Sequence, residues 1–173
     1  MDLILSTARL EIVAATGQIA RADVSDAQQF AVLLNCQVPE EWPPAEFKDA
    51  QSIFARILTR SPELVGWMHW YWILREERVL VGSGGFGGLP DANGKVEIGF
   101  SVVDSYHGLG IGTEAVGRLV QWASSQPDVK KIVAAIVADN NASRRLLKRC
   151  GFQERPTADG AKTIEYELLV EKG

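Results

Sequence analysis

Three glycines, Gly108, Gly110 and Gly112, stand two residues apart in the segment Val102–Ala115 (VVDSYHGLGIGTEA), between a strand-like run and a helical one. Alternate glycines let the backbone turn through positive φ and let a ligand come close to the main chain. The amides of such a loop, with the free N–H groups of the helix behind it, form a positive concavity suited to a phosphate or pyrophosphate. A tight turn without a ligand is the competing reading. No GxxxxGK[ST] occurs, which excludes a P-loop nucleotide site. Gly110–Ala115 does satisfy G-x-G-x-x-[GA], with Asp139 as a candidate ribose-binding acid. Against a dinucleotide fold, the loop from Val103 to Gly108 is long, and too little chain follows Asp139 for a second βαβ half.

A strand must deliver that loop and a helix must leave it. Lys95–Val103 reads as the strand, and the helix runs from about Gly112 to Ser125, with Ala115, Val116, Leu119, Val120 and Ala123 on one face. Lys131–Ala138 is a continuous apolar run, expected as a buried central strand. Asn140–Cys150 reads as a helix closed by Gly151, and two short strands follow near Phe152–Arg155 and Thr163–Val170. Upstream, Arg9–Ala15 is a first strand. Ser25–Asn35 is expected as a helix with Ser25 at its N-cap, and Asp49–Thr59 as a second, with Ile53, Ile57 and Leu58 inward. Gln37–Glu46, with Pro39, Pro43 and Pro44 around Trp42, is a loop. Met68–Leu74 and Arg78–Phe86 form a hairpin; Trp67, Trp70, Tyr71 and Trp72 are expected in the core and on the sheet, and Gly82, Gly84 and Gly85 mark a bulge or close packing. The order implies a single α/β domain over residues 1–173, a mixed sheet with helices on its faces.

Composition narrows the classes. The 173 residues are 46% hydrophobic and 23% charged, enough for a packed core. A formal net charge of −4 argues against a nucleic-acid binder, although Arg144, Arg145, Lys148 and Arg149 form a local basic patch. Cys36 and Cys150 are far apart and read as two reduced thiols. His69 and His107 lack spaced partners, so no metal site is expected. No apolar run reaches the roughly 18 residues of a membrane helix. The expectation is a cytoplasmic protein, monomer or homodimer, with no nucleic acid or membrane partner.

Tyr106–Ala115 resembles the coenzyme A pyrophosphate loop of the GNAT acetyltransferases, [QR]-x-x-G-x-[GA], with His107 where Gln or Arg is usual. A second block, Asn140-Asn141-Ala142-Ser143 through Lys148-Arg149-Cys150-Gly151-Phe152, is similar to the N-x-x-S…K-x-x-G-F helix of the same family. The Trp42-Pro43-Pro44 loop and the Arg9-Leu10 start resemble the branch that includes ribosomal-protein N-terminal acetyltransferases. The resemblance implies a mostly antiparallel central sheet with one splayed parallel strand pair, here Lys95–Val103 and Lys131–Ala138, and helices on both faces. It implies acetyl-CoA as cosubstrate, no metal, and direct attack of a primary amine, on a small molecule or a peptide, on the thioester.

Residue by residue, the resemblance assigns cofactor binding to Ser101, Val102, Val103, His107, Gly108, Leu109, Gly110, Ile111, Gly112, Thr113, Asn140 and Ser143. Main-chain groups of Ser101 and Val103 are expected on the pantetheine, with the Ser101 amide polarising the thioester carbonyl. Glu97 shares a strand face with Gly99 and Ser101, and related enzymes often carry a Glu here as the base. Burial would have to raise its pKa; a solvated or salt-bridged carboxylate is the alternative. Position 147 is Leu where many members have an acid Tyr, which passes that part to Ser143, with Asn140 beside it. Both could equally cap the helix. Trp42, in a braced loop, is the acceptor-site candidate. A non-catalytic acyl-CoA sensor or scaffold is the alternative function.

Overall fold

A computed structural model describes residues 3–172. One eight-stranded sheet runs in the order β1-β2-β3-β4-β5-β6-β8-β7. Its strands are β1 (Ile4–Ser6), β2 (Leu10–Ala14), β3 (Trp70–Leu74), β4 (Val79–Phe86), β5 (Lys95–Val102), β6 (Lys131–Val137), β7 (Gln153–Glu154) and β8 (Thr163–Leu169). Every neighbouring pair is antiparallel except β5 and β6, which are parallel. The helices are α1 (Gly17–Ser25), α2 (Ala27–Leu34), α3 (Ala45–Lys48), α4 (Gln51–Arg60), α5 (Ile111–Ser124) and α6 (Asn141–Arg149).

Two apolar cores lie on opposite faces of the sheet. Residues of α5 and α6, including Val116, Leu119 and Leu147, pack with Trp70, Trp72, Ile98 and Tyr166 on one face. Residues of α1, α2 and α4, including Ile19, Phe30 and Leu58, pack with Tyr71, Ile73 and Leu80 on the other. The alternation of β3 distributes its aromatics between the two: Trp70 and Trp72 to one face, Tyr71 to the other. Gly82 and Gly84 of β4 are a consequence. A Cβ at Gly82 would stand 2.7 Å from the Trp72 ring, and one at Gly84 2.8 Å from it. Close packing is therefore what these strand glycines serve.

The helical reading of the N-terminal third needs correcting. Ser25 ends α1 and does not cap α2; its Oγ donates back to the Arg21 carbonyl at 2.9 Å. Asp26 caps α2, accepting from the Gln29 N–H at 3.1 Å. In α4 the buried positions are Ala55 and Leu58, whereas Ile53 is 46% exposed. Behind α1 lies a half-buried carboxylate. Asp23 accepts from Trp42 Nε1 at 2.8 Å, Gln51 Nε2 at 2.9 Å and the Tyr71 hydroxyl at 2.9 Å. Burial pushes its carboxyl above the usual range, against those three donors, which pull it down. The network pins the loop after α2 to the sheet. Among the described residues no helix is long and apolar enough to cross a membrane.

Candidate functional site

β5 and β6 begin as a parallel pair and then part. Their register runs Lys95↔Lys131, Val96↔Ile132 and Glu97↔Val133, and stops there, while β5 stays paired to β4 as far as Val102. The gap beyond Glu97 leaves main-chain groups of β5 without a sheet partner, and the direction of those groups can be read from their neighbours. Gly87 donates to the Glu97 carbonyl at 3.2 Å, and Val103 donates to the Val81 carbonyl at 2.8 Å. Groups of residues 97, 99, 101 and 103 thus turn toward β4, and those of Phe100 and Val102 face the gap. The amides expected to serve there, of Ser101 and Val103, are one residue out of phase. Side-chain face and hydrogen-bonding side alternate together along a strand, so Glu97, Gly99 and Ser101 share both; which neighbouring strand lies on that side is set by the sheet order.

Two cavities meet at this gap. One, of about 300 Å³, is lined by Ser101, Val102, His107, Gly108, Gly110, Ile111, Gly112, Thr113, Asn140 and Ser143 among others. It therefore gathers ten of the twelve residues expected to bind the cofactor. Leu109 is 54% exposed and Val103 is buried, and neither lines it. The helix α5 opens onto this cavity with no side-chain cap. Its first closing bond is from Glu114 N–H to the Gly110 carbonyl at 3.1 Å, so the three preceding helix amides have no intrahelical acceptor. Gly108 and Gly110 take φ of 75° and 77°, a conformation that presents the loop main chain to a ligand at no side-chain cost. Gly112 has another role: a Cβ there would meet Leu146 at 2.6 Å, so it lets α6 sit against α5.

The loop is held from behind. Arg9 donates through Nε to Glu114 at 3.0 Å and through its guanidinium to the Leu109 carbonyl at 2.9 Å, and Thr7 donates to Glu114 as well. Partial burial would lift the Glu114 carboxyl, but the Thr7 hydroxyl and Arg9 outweigh it and hold it below the usual carboxylate range. His107, in place of the usual Gln or Arg, lies 2.7 Å through Nε2 from the Val102 carbonyl, a contact in which the imidazole N–H is the donor. Arg145 and Arg149, one helical turn apart, bring positive charge to the cavity. Lys148 and Arg144 pair with Glu154 instead. Asn140 does cap α6, its Oδ1 accepting from Ser143 N–H at 3.1 Å. That bond uses the main chain of Ser143 and leaves its hydroxyl to the cavity. Leu147 is fully buried in the core, away from the cavity that Ser143 lines.

The second cavity, of about 400 Å³, lies on the α4 side of the sheet. Glu97 and Ser101 line it, as their shared face requires, together with Phe47, Phe54, Met68, His69 and Glu46. Glu97 is exposed where it lines this cavity. Glu46, Phe100 and Ser101 line both cavities, and the Ser101 hydroxyl donates to Glu46 at 3.1 Å. Sequence reading did not single out Glu46: its partner lies 55 residues away and no local pattern announces it. Trp42 does not line the cavity; it stands one layer behind, 5.7 Å from the Phe47 ring, its indole N–H given to Asp23.

His69 was also missed as a site residue. It is 3% exposed, stacks on Phe47 at 4.2 Å and on Phe54 at 5.0 Å, and its Nε2 has no hydrogen-bond partner among the described residues. Burial pulls its pKa down to about 3, so the ring is neutral at physiological pH. The folded value lies below the ordinary 6.5; between them the unfolded chain binds a proton that the fold refuses, and stability falls as pH drops from about 6.5 to about 3. His69→Phe will accordingly lose about 2 kcal/mol less stability than wild type between pH 7 and pH 5, measured by urea unfolding. Identical losses in the two proteins would mean that His69 titrates normally.

Known proteins share this fold. The family described as acetyltransferase (GNAT) domain matches residues 18–153. The chain is 32% identical over 152 residues to the uncharacterized N-acetyltransferase YjdG of Bacillus subtilis (strain 168), covering 87% of this chain and 89% of that protein. RimL, a ribosomal L7/L12 alpha-N-protein acetyltransferase solved in complex with coenzyme A, superposes with a TM-score of 0.65 at 18% identity, over 97% of this chain and 98% of that one. The microcin C7 self-immunity acetyltransferase MccE, solved with acetyl-CoA and AMP, gives a TM-score of 0.64 at 17% identity, over 95% of this chain and 94% of its own. At these identities the two structures speak for the fold alone.

Proposed function

The chain belongs to the GNAT acetyltransferase family, and from that premise we propose that it moves the acetyl group of acetyl-CoA onto a primary amine by direct attack of the amine on the thioester. One observation carries the proposal: β5 and β6 part beside the uncapped start of α5, and the gap joins two cavities. The pyrophosphate lies on the amides of Gly108–Thr113, with Arg145 and Arg149 beside it. The pantetheine runs along the gap, where the Phe100 and Val102 main-chain groups replace the lost partner strand. An amide there, aimed at the thioester oxygen, polarises the carbonyl; one such donor is worth about 3 kcal/mol at a transition state. That RimL and MccE were solved with coenzyme A or acetyl-CoA supports the choice of donor.

The acceptor enters from the 400 Å³ cavity, on the other side of the same gap. Glu97 takes a proton from the attacking amine, directly or through a water. As the N–C bond forms the C–S bond breaks; the Ser143 hydroxyl gives its proton to the departing sulfur and regains one from solvent, to which Glu97 releases the proton it took. Asn140 fixes the start of α6 and so the height of Ser143. Trp42 braces Phe47 in the acceptor wall. Holding both reactants on one rigid sheet supplies much of the acceleration before any proton moves. The chain acts as one catalytic domain, and a donor of this kind together with two free thiols suits the cytoplasm.

The test is release of free thiol from acetyl-CoA, followed with and without a panel of amines and dipeptides. Release that depends on the amine, with one N-acetyl product per thiol, is the expected result. Binding of acetyl-CoA without amine-dependent release from any member of the panel would sink the transferase reading for this chain.

A further inference from the structure

The charges around the acceptor cavity are one-sided. Among the described residues that line it, the charged side chains are Glu46 and Glu97, both acidic, and no lysine or arginine joins them. His69 adds no positive charge, since burial keeps its ring neutral. Around the two carboxylates the wall is apolar: Phe47 and Phe54 stacked with His69, and Met68, Phe86 and Ile136 beyond. Glu46 also lines the donor cavity and is tied to Ser101, so one carboxylate stands where the two cavities meet. The volume, about 400 Å³, is near the small end for ligand sites.

Each feature constrains the acceptor. An ammonium gains from two carboxylates in a partly enclosed site, whereas a carboxylate on the same molecule meets like charge with no cation to answer it. An acceptor that is charged along its whole length leaves the stacked rings and methionine unused and desolvates charge against them. A flat apolar group of ring size fits that wall. Resting on the acetyltransferase reading, we infer that the acceptor is a compact primary amine carrying an aromatic or similarly flat apolar group and no carboxylate, its ammonium held between Glu46 and Glu97. Neither a free amino acid nor a polyamine meets all three conditions.

Phenethylamine and phenylalanine test this directly, because they differ by the carboxylate alone, and spermidine tests the apolar wall. With acetyl-CoA saturating, kcat/KM for phenethylamine is expected to exceed that for phenylalanine and for spermidine by at least about tenfold, a ratio that like-charge exclusion readily supplies. Glu46→Gln keeps the shape and removes one charge, so it narrows the gap between phenethylamine and phenylalanine to about threefold or less. Exclusion by shape alone would leave that gap unchanged and overturn the inference. Equal or faster turnover of phenylalanine or spermidine overturns it as well. So does calorimetric binding of acetyl-CoA with no turnover of phenethylamine when a peptide amine is acetylated. Absence of acetyl-CoA binding would instead bring down the acetyltransferase reading beneath it.

Discussion

Gly110→Trp will leave the chain folded and weaken acetyl-CoA binding at least about 100-fold, equivalent to about 2.7 kcal/mol, in calorimetry against the wild type. Gly110 is exposed and its φ is 77°. A side chain there costs about 1–2 kcal/mol of backbone strain, so the melting temperature falls by roughly 5 °C and the fold survives. Gly110 lines the donor cavity, and a Cβ on it would meet Arg9 at 3.4 Å, so the indole is expected to turn over the cavity. It occupies the volume over the free amides of α5, the groups that would otherwise meet the pyrophosphate. Gly110→Ala separates the two causes: it carries the strain without the bulk and is expected to bind about tenfold more weakly than wild type. Wild-type affinity in a folded Gly110→Trp protein would mean that the coenzyme does not lie on this loop.

Legibility in the sequence followed the range of the interactions concerned. The glycine loop, β5, α5, β6 and α6 were readable because each is set by residues within a few positions of one another. Glycines at spacing two, an i, i+4 apolar stripe and an asparagine before a helix are all local signals. The start of α1 was missed for a local reason of the opposite kind. Thr16 caps it, accepting from Ile19 N–H at 3.2 Å, whereas Ser25, expected at the N-cap of the next helix, is the last residue of α1. The main-chain phase at Ser101 was lost because it depends on which strand is the neighbour, and a side-chain pattern carries no record of that.

The acceptor side was nearly silent, for a physical reason. Glu46 acquires its place only when α3 folds across β5 to meet Ser101, and His69 acquires its environment only when Phe47 and Phe54 close over it. Neither event leaves a spacing to be read. Trp42 illustrates the reverse error: an aromatic residue in a proline-rich loop invites a ligand role, yet its N–H is satisfied by Asp23 and its ring by Phe30, Phe47 and Tyr71. Its contact with the cavity lining is through Phe47.

Glu97→Gln will reduce kcat by about 100-fold and leave acetyl-CoA affinity within about threefold of wild type. Glutamine preserves the volume and can still accept a hydrogen bond, so what is lost is the capacity to take the proton of the amine. A positioned proton acceptor contributes about 10²–10⁴-fold, and the lower end applies here because Glu97 is exposed until an acceptor covers it. The donor should bind as before because Glu97 lines the cavity beside α4 and not the one lined by the glycine loop. Steady-state kinetics in both substrates, with calorimetry on acetyl-CoA, separate the possibilities. A rise in KM for the amine with kcat unchanged would make Glu97 an anchor for the ammonium and nothing more. Proton removal would then fall to Glu46, the carboxylate that stands where the two cavities join, and Glu46→Gln would have to show the loss in kcat that Glu97→Gln did not.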